Sequence, residues 1–143
     1  MAAAVDTETT VFKNGTVTNL ARLVGHNGVN LQQADFGSDS SSSGECNIPA
    51  RYSVYLLDRD APNTRTAVAG HNNVALNIAD IIFDALQTDA LWTLDDTGYN
   101  FRHTVDVCPS PAFTVAGAVY LVEYILCPLT GMPIIVRFQV ECI

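Results

Sequence analysis

The sequence predicts an all-β protein, a β-sandwich carrying one short α-helix. Three observations support that class: two closing strands with strict alternation, further strands of the same kind before them, and turn signals roughly every ten residues. An open antiparallel α+β sheet with the helix on one face is the other architecture this pattern admits.

The closing pair carries the strongest signal. Residues 119–127 place Tyr120, Val122, Tyr124 and Leu126 on one face and Glu123 on the other. Residues 134–142 place Ile134, Val136, Phe138, Val140 and Cys142 on one face and Arg137, Gln139 and Glu141 opposite, the period of a half-buried strand. Thr130-Gly131 supplies the turn between them. Residues 51–57 are β-branched and aromatic on both faces, as a central strand requires. Tyr99, Phe101, His103, Val105 and Val107 alternate with polar residues, while residues 16–24 alternate weakly. Ile78, Ile81, Ile82, Ala85 and Leu86 fall at helical spacing, so residues 78–87 are expected to form a helix of roughly three turns, capped by Asn77 and favoured by Asp80 in its first turn. Residues 1–15 read as an arm or an edge strand, residues 16–143 as one domain, and the Ser-rich residues 37–47 as a flexible surface loop.

Composition narrows the function classes. The chain has 143 residues, 48% of them hydrophobic, enough for one real core. Seven Lys+Arg against fifteen Asp+Glu give a net charge of −8, and no basic run exists, so a nucleic-acid backbone would repel it. No stretch approaches the ~20 apolar residues of a membrane span, and the amino terminus lacks the basic and apolar regions of a signal peptide. Neither nucleic acid nor membrane is expected as a partner. Synthesis in a reducing cytoplasm follows, with Cys46, Cys108, Cys127 and Cys142 as free thiols, since Cys142 lies too far along the hairpin to bridge Cys127.

No motif announces chemistry. His26, His71 and His103 show no metal-ligand spacing, and His103 shares a face with Phe101 and Val105, where a core histidine with one hydrogen bond is the expected outcome. Asp58, Asp60 and Asn63 suggest an oxygen-rich calcium loop, but Pro62 stands where a ligand is needed. Asp80 and Asp84 read as a solvated helix face. No catalytic residue, cofactor or metal site is therefore expected. A metal-dependent or small-molecule enzyme would need His103, Asp106, Asp58 and Asp60 to converge, and a cell-surface or glycan adhesion module is a third possibility.

The order of features resembles a known group. Residues 21–28 with their Gly-containing turn, the return through residues 29–36, the strand at residues 52–57 and the closing stretches 116–124 and 131–140 resemble immunoglobulin-like domains of tailed-phage virion proteins, in particular the amino-terminal domain of baseplate upper proteins. Residues 77–92 and 97–103 are similar to proteins of phage or prophage type. The resemblance implies an immunoglobulin-like sandwich and a non-enzymatic structural role in the virion, as capsid decoration or as a neck, tail or baseplate component. It implies other virion proteins as partners and a homo-oligomeric or multi-copy state. Strand addition at an exposed edge is the expected means. Val11 and Phe12 of the arm, with Glu123, Arg137, Gln139 and Glu141 on the outer face of the hairpin, are the expected subunit interface.

Overall fold

The computed structural model describes residues 3–5, 8–25, 28–36, 50–57, 60, 64–93, 96–128 and 133–143. Its elements are β1 (Ala3–Val5), β2 (Glu8–Val11), β3 (Thr18–Leu23), β4 (Ala50–Leu57), β5 (Arg65–Ala67), β6 (Val74–Ala75), α1 (Ile78–Ile81), β7 (Ile82–Gln87), β8 (Tyr99–Thr104), β9 (Val119–Leu126) and β10 (Ile134–Cys142), with a 3-10 turn at Gln33–Asp35. The Ser-rich residues 37–47 and the Thr130-Gly131 turn lie outside the described residues.

Two sheets form the sandwich. The smaller runs β1-β3-β8-β7 and the larger β2-β10-β9-β4-β5, with β6 also pairing β4. The amino-terminal segment changes sheet: β1 pairs antiparallel with β3, whereas β2 pairs parallel with the last strand, β10. With β3, β4, β7, β8, β9 and β10 as strands B, C, D, E, F and G, this is the A-B-E-D and A′-G-F-C-C′ arrangement of variable-type immunoglobulin domains. A second hallmark sits at the start of β9, where the buried Tyr120 hydroxyl accepts the backbone N–H groups of Thr114 and Val115 at 3.2 and 3.0 Å. That is the tyrosine corner of such domains. Two residues on, where antibody domains carry their second cysteine, this chain has Val122.

The alternating residues pack as their period demands. Tyr120, Val122, Tyr124 and Leu126 of β9 and Ile134, Val136, Phe138, Val140 and Cys142 of β10 are all buried. Tyr124 meets Phe101 of β8 edge-on at 4.9 Å and Phe138 at 5.7 Å, so aromatic contacts tie the two sheets together. A lesser cluster of Leu20, Trp92 and Tyr99 covers the other side of the smaller sheet.

Three expectations are corrected. The helix over residues 78–87 lasts one turn. The Asn77 side chain caps the Ala79 N–H and Asp80 sits in the first turn, but Ile82 turns extended (φ −109°, ψ 131°). Ile82 is buried and pairs with Phe101, while Ala85, which a helix would turn inward, is exposed. Strand pairing by a β-branched residue followed by Phe83 overrides a helical spacing that its first turn alone uses. Val11 lies in the core, 4% exposed, opposite Cys142 on β10, and so cannot join an interface. Cys127 is disulfide-bonded rather than free. The hairpin register, with Ile134 opposite Leu126, does separate it from Cys142. It excludes nothing on the other flank, where Leu126 also faces Ala50.

Cys108 is an exposed free thiol and Cys142 a buried one, while Cys46 lies outside the described residues. A thiol-specific reagent is accordingly expected to label Cys108 in the native protein, Cys142 only after denaturation, and Cys127 only after reduction, as read by peptide mass spectrometry.

Candidate functional site

The outer face of the larger sheet gathers most of the interface residues expected from sequence. Register sets it out in rows: Ile135 beside Ile125 and Arg51, Arg137 beside Glu123 and Ser53, Gln139 beside Leu121 and Tyr55, Glu141 beside Val119 and Leu57. Arg137, Gln139 and Glu141 are exposed. Glu123 points outward as its strand parity requires, yet is only 8% exposed. Its carboxylate accepts Arg137 Nε at 2.8 Å and lies 3.6 Å from a nitrogen of Arg65, whose guanidinium also stacks over Tyr55 at 4.2 Å. Cross-strand pairing thus places an Arg–Glu–Arg cluster at the centre of a face whose flanks are Ile135, Ile125, Leu121 and Tyr55. Phe12, 75% exposed, stands just after β2, beside the end of β10.

Beside the face, the described strands pair with only part of the β10 edge. Cys142 donates its N–H to Ala118 on the β9 side, whereas Ile143 donates to Val11 and accepts from Lys13 on the β2 side. By alternation, the backbone groups of Ile135 and Arg137 also turn to the β2 side. The β2 ladder stops at Gln139, so no described strand pairs there. Ile135, 46% exposed, marks this stretch. The remainder of the first residues does not form a free arm: β1 and β2 each complete a sheet within the chain.

Inside the sandwich lies a polar network, of which sequence indicated only His103 with its one hydrogen bond. Asn19 Nδ2 of β3 donates to the Tyr124 hydroxyl at 2.7 Å, and that hydroxyl lies 2.8 Å from His103 Nδ1 of β8. Having accepted from Asn19, the Tyr124 proton goes to His103 Nδ1, which fixes the imidazole as its Nε2–H tautomer. Burial lowers His103 to about 4 and raises Tyr124, so both stay neutral. The Tyr52 ring of β4 packs at a tilt against His103, with ring centres 4.8 Å apart. Its hydroxyl lies 2.8 Å from His71 Nδ1, and His71 Nε2 lies 2.7 Å from the Ser110 carbonyl. That carbonyl can only accept, so His71 donates to it from Nε2. Burial, and secondarily the charge of Asp106, raise the Tyr52 hydroxyl.

This network links the two sheets, from Asn19 and His103 of the smaller to Tyr124 of the larger. Of the residues an enzyme would have required, Asp106 acts on Tyr52 only at a distance, Asp60 is exposed and Asp58 lies outside the described residues. Among the described residues no three of His, Cys, Asp and Glu come together as a metal site. No protein-family model and no curated protein sequence matches the chain.

Proposed function

We propose that this chain is a non-enzymatic structural protein of a tailed-phage virion, which docks neighbouring subunits on the outer face of its larger sheet and along the adjoining edge of β10. The observation that carries the reading is the stretch at Ile135 and Arg137, where outward backbone groups without a described strand partner adjoin an exposed isoleucine. Such an edge accepts an added strand from a neighbour. The sandwich with its tyrosine corner supports the resemblance to virion immunoglobulin-like domains, and His103, held neutral beside the Tyr124 hydroxyl, supports a role without catalysis. The disulfide at Cys127 suits a protein that spends its life on a released particle, where no cellular reductant acts. The partners are other virion proteins or further copies of this chain.

The test combines particle incorporation with folding. Ile135→Lys and Gln139→Lys put edge-blocking charge on exposed positions and should leave the melting temperature nearly unchanged, since such surface changes stay within about 0.5 kcal/mol. Mass spectrometry of purified particles is expected to show at least a tenfold loss of the variant chain relative to wild type. Undiminished incorporation of both variants would overturn the docking surface. Glu123 is a poorer choice, because its removal leaves Arg137 and Arg65 without their shared acceptor and disturbs the fold as well.

A further inference from the structure

We propose that one end of the sandwich is an interface with a second copy of this chain, in which Phe12 of each copy enters an apolar pocket of the other. This surface is separate from the outer face of the larger sheet and from the β10 edge at Ile135, and the inference does not depend on the virion reading.

Four ends of strands in the larger sheet meet there in sheet order. Phe12 follows β2, Ile143 follows β10, Ala118 precedes β9 and Leu57 closes β4. Backbone pairing fixes them side by side: Cys142 lies opposite Val11 and donates its N–H to Ala118, and Val119 lies opposite Leu57. Phe12 is exposed, yet its main chain is held. Gly15 donates to the Phe12 carbonyl at 2.7 Å, and the N–H groups of Lys13 and Asn14 go to the carbonyls of Ile143 and Phe113. An exposed aromatic ring on a tied turn is a preorganised anchor for a partner.

The same end holds a receptor for such a ring. A pocket of about 460 Å³ opens between the end of β4, at Leu56 and Leu57, and the segment with Val115, Ala116 and Ala118 that leads into β9, with Thr66 of β5 also lining it. At about 4.8 Å between neighbouring strands, Phe12 and Leu57 stand about 14 Å apart. A two-fold axis midway between them, beside Ile143 and Ala118, therefore lays each Phe12 on the partner's pocket and closes the pair, the isologous arrangement of most soluble dimers. With Phe12, Ile143 and Val115 expose roughly 300 Å² of apolar surface on each copy, the size at which a patch marks an interaction site and enough for a weak, reversible dimer. Lys13, exposed next to Phe12, is carried with it towards the end of β4, where Asp60 is exposed just past Leu57, so opposite charges meet between two chains of net charge −8.

Sedimentation equilibrium of the full chain from about 10 µM to about 1 mM tests this, a range that brackets a dissociation constant on the order of 100 µM. The mean mass is expected to rise towards twice that of the chain and to stop there. Phe12→Ser, and Ala116→Glu in the pocket, should each weaken dimerisation at least tenfold without lowering the melting temperature of the dilute protein, whereas Ile135→Lys should dimerise as the wild type does. In a mixture of isotope-labelled and unlabelled chains, the Phe12 ring should show nuclear Overhauser contacts to the methyl group of the partner's Ala116. The proposal is overturned by any of three results: a chain that stays monomeric at about 1 mM, undiminished dimerisation of Phe12→Ser, or masses that grow past the dimer.

Discussion

Tyr124→Phe is expected to destabilise the fold by about 2–4 kcal/mol, although it removes a single oxygen. The lost hydroxyl is the acceptor of Asn19 Nδ2 and the donor to His103 Nδ1. Asn19 is fully buried and its Oδ1 has no hydrogen-bond partner among the described residues. Two further buried groups are thereby orphaned, each at a cost of about 1–3 kcal/mol. Denaturant titration with a double-mutant cycle separates this from simple truncation. Asn19→Leu combined with Tyr124→Phe replaces donor and acceptor by apolar groups, so the pair should cost about 1–2 kcal/mol less than the sum of the two single changes. Strict additivity would refute a hydrogen-bonded link between the sheets.

Acidification provides the second large effect. His103 is held neutral in the folded protein down to about 4, whereas in the unfolded chain it takes a proton near 6.5. Above 6.5 both states are neutral and His103 contributes no pH dependence. Between 6.5 and about 4 only the unfolded state gains the proton, so stability falls with pH, and below that window the loss is constant. The shift corresponds to roughly 3 kcal/mol, reduced towards 2 by the partial exposure of the ring. Protonation would also give the Tyr124 hydroxyl two donors and no acceptor. Asp89 adds a smaller loss at lower pH, because the Tyr99 hydroxyl at 2.7 Å holds its carboxyl below the usual range. Unfolding measured from pH 7 to 4 on wild type and His103→Gln isolates the histidine, since Asp89 is common to both. The two curves should converge on acidification; parallel curves would show that His103 does not sense pH.

What the sequence made legible was whatever repeats locally. β9 and β10 could be read face by face because one side packs on a core and the other does not, and period-2 alternation records that difference directly. The region after Asn77 shows the limit of the same method. Ile78, Ile81 and Ile82 satisfy a helical face and equally satisfy one turn followed by a buried strand residue. Only the partner, Phe101, decides between them, and it lies far along the chain. The polar network was invisible for the same reason: Asn19 and Tyr124 are 105 residues apart, and nothing near either one signals the other. Tyr124 reads simply as a core aromatic. Glu123 was placed on the correct face, but its burial depends on Arg65 arriving from β5. The candidate interface was thus readable as a pattern of side chains, while the extent of described pairing along β10 required knowing where β2 ends.

The exchange of sheets by the amino-terminal segment has a mechanical consequence. Because β2 and β10 run parallel, tension applied between the two ends of the folded domain pulls these strands lengthwise past one another. All four of their paired positions, from Gln139 with Glu8 to Cys142 with Val11, then bear load together. An antiparallel terminal pair under the same pull would instead open one rung at a time. A domain of this topology, pulled from both ends, is therefore expected to yield late and abruptly, with the β2–β10 clamp as the part that sets its breaking point.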